Sequence, residues 1–262
     1  MNGILCAFLG TLLTFSATAF GSAGIFFLKN EISSRLQSGF LGFAGGVMTA
    51  ASIWSLLLPG MKYAEENGQI VWLSIAGGFF LGTSVLLIAD TFIKKHYLAH
   101  EKKCFSSIDK GTLMLITAIT VHNIPEGMSV GLAFALAAQN DFEPALLTGA
   151  VSLSIGIAVQ NFPEGTAVAL PLTKNGISRR NAFWIASMTA FVEPVFGILA
   201  AAFSYFANSA ISMALAFAAG TMLYVVVEEL IPQAHTDNEN KSGTIGFLIG
   251  FLIMMILDVS LG

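Results

Sequence analysis

The string H-N-I-P-E-G at residues 122–127 is repeated as Q-N-F-P-E-G at residues 160–165, and each copy lies in the middle of a long apolar segment. A carboxylate or an imidazole inside hydrocarbon is costly unless it is paired, protonated or bound to a cation. Neither apolar segment contains a Lys or Arg that would neutralise the glutamates. The repeat therefore predicts a site for a metal ion inside a membrane.

The composition around these motifs is that of a membrane protein. Of the 262 residues, 55% are hydrophobic and 11% are charged, which lies outside the usual balance of soluble proteins. The chain is therefore predicted to be a multi-pass membrane protein whose partner is the lipid bilayer, with no nucleic acid partner. Its two cysteines, Cys6 and Cys104, do not form the pattern of a disulfide framework or a thiolate metal site.

The apolar segments predict eight transmembrane helices, since about 20 apolar residues cross a bilayer once. Turn and charge signals separate them. We expect an all-α integral membrane protein with a single polytopic membrane domain over residues 1–262 and a cytoplasmic loop at 94–111. The predicted spans are 3–28, 38–60, 70–93, 112–138, 144–171, 181–206, 211–233 and 244–261.

The basic residues predict the orientation of these spans, because Lys and Arg in short loops stay on the cytoplasmic side. Of the 12 Lys and Arg residues, only Lys62 falls in a loop on the opposite side of the predicted membrane. Both termini are therefore expected to face outward.

The two motifs offer metal ligands on matching helix faces. His122 and Glu126 are four residues apart and share a face of the fourth span. The fifth span repeats this spacing, and both motifs are predicted near the bilayer centre. Together the two helices offer six side chains: His122, Asn123, Glu126, Gln160, Asn161 and Glu164.

A proline inside each motif is expected to open its helix at membrane depth. Pro125 and Pro163 have no N–H, so the carbonyls of Val121 and Val159 lose their helical partners. These carbonyls are then free to orient or bind a cation.

Two further strings, F-V-E-P-V-F-G at residues 191–197 and Y-V-V-V-E-E-L-I-P at residues 224–232, complete the pattern. With the paired motifs they resemble the ZIP (ZRT/IRT-like) metal transporters, and most closely their GufA-like branch, over all eight spans. The resemblance implies a 3+2+3 arrangement of helices, a homodimer and a bacterial inner (plasma) membrane protein. It also implies a transporter that brings zinc, and often iron, manganese or cadmium, into the cytosol.

Carried over by position, the resemblance implies two adjacent metal sites bridged by Glu126 and Glu164. The first site would add His122 and Gln160 to these glutamates. The second would add three residues from three spans: Asn123, Asn161 and Glu193. The chain departs from the commoner family pattern at Gln160, where a histidine is usual, and an amide implies weaker binding, faster release or a broader choice of ion.

The ligand chemistry agrees with a transition metal as the transported substrate. One imidazole with carboxylate and amide oxygens suits zinc, iron(II), manganese or cadmium, whereas copper(I) prefers sulfur. The three glutamates are expected to repel one another without metal, so protons are expected to compete with the ion.

Two other functions are alternatives to metal transport. An exchanger of a harder cation such as calcium against protons or sodium is the alternative, and it would tolerate the loss of His122. An enzyme is not expected, because the H-E-x-x-H pattern of metalloproteases does not occur.

Several polar residues outside the motifs have two interpretations. Glu228 and Glu229 form either an exit station for the ion or a solvated helix end. His96 and His100, followed by Cys104, form either a metal-sensing cluster or part of a basic segment that attracts anionic lipid. Runs of small residues at 42–46, 77–82 and 216–220 are expected to allow close helix packing.

Overall fold

The computed structural model describes residues 2–27, 33–99, 110–207, 210–235 and 241–261. All regular secondary structure in these ranges is helical. The helices are α1 Gly3–Ala23, α2 Ser34–Ala51, α3 Leu58–Glu66, α4 Val71–Ala99, α5 Lys110–Gln139, α6 Pro144–Lys174, α7 Arg179–Thr189, α8 Val192–Phe206, α9 Ile211–Val225, α10 Ile231–Ala234 and α11 Ser242–Leu261.

These helices form membrane-crossing segments, as the composition predicted. Within the described residues, seven segments are long and apolar enough to span a bilayer: Gly3–Phe26, Ser34–Glu66, Val71–Ile93, Pro144–Lys174, Arg179–Phe206, Ile211–Ala234 and Ser242–Ser260. The 30-residue helix α5, which carries the first motif, packs among them. The chain is therefore an all-helical, multi-pass membrane protein.

The outer surface of the helices is apolar. Trp72, Phe80 and Phe92 on α4 are each at least 70% exposed. Aromatic side chains at this exposure are unfavourable in water but stable in hydrocarbon. This face of α4 is therefore suited to contact with lipid.

Glycines allow close packing between α2 and α11. A Cβ on Gly46 would overlap the backbone of Phe247, and a Cβ on Gly250 would overlap the backbone of Phe43. Small residues at such positions let two helix backbones approach, which is a main source of packing energy in lipid. The prediction from the run at residues 42–46 is confirmed.

The pairing of α4 with α9 repeats this arrangement position by position. Gly82 faces the backbone of Phe217, and Gly220 faces the backbone of Phe79. Gly46 and Gly220 each follow the sequence F-A-x, while Gly82 and Gly250 each precede an aspartate by eight residues. The second and third spans therefore correspond to the seventh and eighth in both spacing and packing.

Two spans change to a π-helical form before a proline. The segment Ser52–Leu57 lies between α2 and α3, and Val226–Leu230 lies between α9 and α10. Pro59 and Pro232 follow within two residues of these segments. The proline ring would clash with the carbonyl four residues earlier, and a wider turn relieves this clash.

The sixth span is broken at its centre, whereas the helices of the two motifs are continuous. The α7 helix ends at Thr189 and α8 begins at Val192, which places Pro194 in the first turn of α8, where its missing N–H leaves no helical hydrogen bond unmade. By contrast, α5 runs past Pro125 and α6 runs past Pro163. The expected opening at the motif prolines is therefore limited to the missing backbone hydrogen bonds.

Candidate metal centre

The structure brings the predicted ligands together from three helices. α5 supplies His122, Asn123 and Glu126, α6 supplies the corresponding three residues of its own motif, and α8 supplies Glu193. Six of the seven side chains are buried, and Glu164 is partly exposed. The second-motif side chains are Gln160, Asn161 and Glu164.

The glycine that ends each motif places a third and a fourth helix at the centre. A Cβ on Gly127 would lie 2.5 Å from the Glu193 Cα, and a Cβ on Gly165 would overlap the backbone of Thr18. Gly127 thus lets α8 bring Glu193 to the first motif, and Gly165 lets α1 approach the second. These glycines were not predicted to have a role, although their identical places in the two motifs were a signal for one.

Three ligand groups form a compact cluster. One ligand atom from each of His122, Glu126 and Glu164 lies within 4.8 Å of the other two. The His122 Nε2 atom is 3.7 Å from Glu126 Oε1. Gln160 Nε2 donates a hydrogen bond of 2.7 Å to the same carboxylate oxygen. One imidazole and two carboxylates in this arrangement can hold a divalent cation of zinc type.

A second group of ligands lies beside the first. Asn161 Nδ2 donates a hydrogen bond of 2.9 Å to Glu193 Oε1. The other oxygen of each of these side chains, Asn161 Oδ1 and Glu193 Oε2, is buried without a hydrogen-bond partner. Both polar atoms of Asn123 are buried in the same way. These atoms are positioned to bind a ligand that the helices themselves do not provide.

Unpartnered atoms occur at every predicted ligand. Buried polar atoms in folded proteins almost always have a partner, because an unsatisfied group costs about 1–3 kcal/mol. Within the described residues, each of the seven side chains has at least one buried polar atom without a hydrogen bond, and the atoms are His122 Nδ1, Asn123 Nδ2, Asn123 Oδ1, Glu126 Oε2, Gln160 Oε1, Asn161 Oδ1, Glu164 Oε1 and Glu193 Oε2. A cation at the centre would satisfy the oxygens in this set.

Glu229 lies closer to this centre than the sequence indicated. Its Oε2 atom is 3.6 Å from His122 Nδ1, and it projects from the π-helical segment of the seventh span. Glu228, in contrast, is exposed. The same two interpretations applied to both glutamates, because the residue pattern does not reveal a π-helical turn. That turn decides which of the two side chains faces the centre.

A cavity extends from the centre along α6. Gln160 and Glu164 line one part of it, and Gln37 and Lys174 line another. Lys174 is the last residue of α6. The cavity therefore connects the ligand cluster with the end of the helices that carries the basic residues.

A polar pair on another part of the molecule was not expected from the sequence. The Ser55 hydroxyl donates to both carboxylate oxygens of Asp258, at 2.9 and 3.0 Å, and Asp258 is buried. The hydroxyl of the neighbouring Ser52 donates to the Met48 carbonyl of its own helix. The interpretation of His96, His100 and Cys104 as a metal-sensing cluster stays a prediction, because residues 100–109 and the side chain of His96 lie outside the part of the structure that is described.

Comparison with known proteins identifies the family. A family model described as "ZIP Zinc transporter" matches residues 99–258. "Zinc transporter ZIP11" of Xenopus tropicalis is 34% identical, over 99% of this chain and 98% of that protein. The chain belongs to the ZIP family.

Bacterial members of the ZIP family match over a similar length. "Zinc transporter GufA" of Myxococcus xanthus is 33% identical, covering 96% of this chain and 97% of that protein. "Zinc transporter ZIPB" of Bordetella bronchiseptica is 34% identical, covering 98% and 81%. The predicted ZIP membership and the GufA-like resemblance are confirmed.

The family also bears on the two alternatives. These relatives are named transporters and not enzymes, which points to a role other than catalysis. Their names all refer to zinc, and the calcium exchanger is not supported.

Proposed function

We propose that this chain carries divalent transition metal, zinc above all, across the membrane into the cytosol. The observation that carries the proposal is the cluster of His122, Glu126 and Glu164, whose ligand atoms lie within 4.8 Å of one another inside the helix bundle. Iron, manganese and cadmium fit the same ligand chemistry. The metal is the transported substrate and not a resident cofactor.

The proposed centre holds two ions. His122 and Gln160 complete the first site, and Glu126 and Glu164 bridge to the second. Asn123, Asn161 and Glu193 complete the second site. The unpartnered oxygens of these side chains support the assignment, because each of them would gain a ligand bond.

The cavity along α6 supports release toward the Lys174 end of the molecule. Glu229 is adjacent to His122 and would take up the leaving ion, while the exposed Glu228 would not. If the basic loops are cytoplasmic, as their distribution predicts, this direction is inward.

The global arrangement is part of the proposal. We infer a single membrane domain of eight spans in a 3+2+3 order, with both termini outside and the spans bounded near the predicted positions. The glycine contacts between the second and eighth spans match those between the third and seventh spans. This match supports the order. A homodimer in a bacterial inner membrane completes the proposal by family resemblance.

Metal uptake by reconstituted protein tests the proposed function. Purified protein in liposomes loaded with a zinc-sensitive dye is compared with His122→Ala and Glu164→Gln. Glu143→Gln is the matched control, because Glu143 lies on the surface next to the start of α6. We expect zinc flux to be lost in both site variants and kept in the control. Unchanged zinc flux in both site variants would overturn the proposal.

A further inference from the structure

A second cavity lies at the end of α6 that is opposite to Lys174. Two residues from the first turns of α6, Ala145 and Gly149, line it together with Ser55 of the second span and Asp258 of α11. The hydrogen-bonded pair of Ser55 and Asp258 gives this cavity a polar wall. We call it the Asp258 cavity, to distinguish it from the cavity along α6 that contains the metal ligands.

The Asp258 cavity and the cavity along α6 border the same face of α6. A spacing of three or four residues keeps side chains on one face of a helix, and on α6 this face carries Gly149, Ser152, Gly156 and Gln160. Gly149 lines the Asp258 cavity, and Gln160 lines the cavity along α6. The second span also borders both cavities. The two cavities are therefore consecutive parts of one path between helices, and the segment between them holds Ser152 and Gly156.

Met254 of α11 fills the path between the two cavities. A Cβ on Gly156 would overlap the Met254 sulfur and would lie 3.6 Å from the Val47 side chain on α2. Met254 is fully buried, and it stands four residues before Asp258 on the same face of α11. Its side chain is unbranched and has three rotatable bonds. Met254 therefore closes the path in this structure, and a change of its rotamer opens the path without a shift of the helix backbones.

The Ser152 hydroxyl differs from its neighbours on α6. Hydroxyl side chains in helices commonly bond to a carbonyl of the preceding turn, and Thr148 and Ser154 do so, donating to the carbonyls of Pro144 and Ala150. Ser152 is fully buried, and its hydroxyl has no hydrogen-bond partner within the part of the chain that the structure describes. An unsatisfied buried hydroxyl lowers stability. Its place on this face of α6 points to a partner that the helices do not provide.

We propose that Ser152 and Met254 form a transit site, through which the metal ion passes between the Asp258 cavity and the metal centre. This inference rests on the proposed function. An ion in an apolar passage needs ligands, because an isolated charge is costly to bury. The Ser152 hydroxyl offers oxygen lone pairs, and the Met254 sulfur lies one turn away, against Gly156. Thioether ligands favour zinc, whereas manganese prefers oxygen, so the transit site selects the softer ion.

Two substitutions each remove one ligand atom of the transit site and keep the packing. Ser152→Ala removes an unpartnered hydroxyl, so the melting temperature should stay the same or rise. Its maximal rate of zinc uptake should fall by roughly 10- to 100-fold, the loss expected when a charged group loses one hydrogen-bonding partner. Met254→Leu nearly conserves volume and removes the sulfur. It should lower the ratio of zinc uptake to manganese uptake several-fold.

The test is uptake of zinc and of manganese by the full-length protein in liposomes loaded with a dye that responds to both ions. Equilibrium zinc binding to the same variants in nanodiscs should be unchanged, because the transit site does not hold the ion at rest. Ser154→Ala is the matched control, since Ser154 is also buried but faces Gly10 of α1 and bonds within its own helix. This control should transport both metals at the wild-type rate. If Met254→Leu does not fold, Met254→Ile makes the same comparison.

The outcomes separate this inference from the proposed function. Wild-type protein that takes up no divalent metal contradicts the proposed function, and the transit site then fails with it. Zinc uptake by the wild type and equally fast uptake by Ser152→Ala refute the transit site alone. A slow Ser152→Ala variant that is also less stable or binds less zinc refutes it too, because the hydroxyl would then have a structural role. If Met254→Leu changed zinc and manganese uptake by the same factor, the sulfur would not be a ligand.

Discussion

Replacing Gly127 by alanine should uncouple α8 from the metal centre without removing any ligand. The added Cβ would lie 2.5 Å from the Cα and 2.8 Å from the carbonyl carbon of Glu193, whereas ordinary contacts begin at 3.4 Å. The distance from the added Cβ to the Glu193 Cα would thus be 3.4 − 2.5 = 0.9 Å shorter than an ordinary contact. These atoms belong to the backbone, so no side-chain rotation relieves the overlap and α8 must move away from α5.

The size of the effect follows from this displacement. Overpacking of a tight interface costs about 1–3 kcal/mol of folding free energy. A displacement of about 1 Å in a functional group can reduce the rate of an enzyme by about 10²-fold. We expect a similar loss of zinc transport in Gly127→Ala, since Glu193 itself is displaced, together with a lower melting temperature.

Zinc uptake into liposomes and thermal unfolding in detergent are the assays. Gly149→Ala on α6 is the control, because a Cβ at Gly149 meets no atom within 4 Å. Alanine is favoured over glycine inside a helix by up to about 1 kcal/mol, so this control should be as stable as the wild type or more so. If Gly127→Ala transported zinc as fast as Gly149→Ala, the assignment of Gly127 as the contact that places Glu193 would be wrong.

Two further predictions concern the first site. Gln160→His removes the hydrogen bond to Glu126 and adds an imidazole, so zinc should bind more tightly and leave more slowly. We expect a lower KM together with a lower maximal rate of zinc uptake. A higher KM would contradict this reasoning. Glu229→Gln should slow zinc uptake more than Glu228→Gln, because Glu229 lies 3.6 Å from His122 while Glu228 is exposed; equal rates in the two variants would exclude a special role for Glu229.

Much of the fold could be predicted, because a helix in lipid forms from the residues of its own segment. A helix satisfies its own backbone in hydrocarbon, so apolar length alone predicted helical membrane segments. The internal repeat could also have been found, since F-A-x-G occurs at residues 43–46 and 217–220. The π-helical segments and the break before Pro194 were not predicted, because proline has several ways of disturbing a helix and the choice depends on neighbouring helices.

At the metal centre, too, local features could be predicted and features that depend on helix packing could not. The paired motifs predicted their ligands, because His122 and Glu126 share a helix face wherever the helix lies. The approach of Glu193 to the first motif, the approach of α1 to the second motif and the contact between Glu229 and His122 could not be predicted from spacing. Each depends on which helix packs against which, over sequence separations that no local pattern encodes.

By itself, the sequence determined the membrane class, the helical segments, the polar motifs at their centres and the ZIP resemblance. These depend on hydropathy and on residue spacing within one helix. Only the tertiary structure decided that α1 and α8 reach the motifs and that one of two adjacent glutamates faces His122. The physical reason is that helix pairs in lipid are selected by backbone contact at particular glycines, such as Gly127 and Gly165, and the partner of a glycine is known only once the helices are packed.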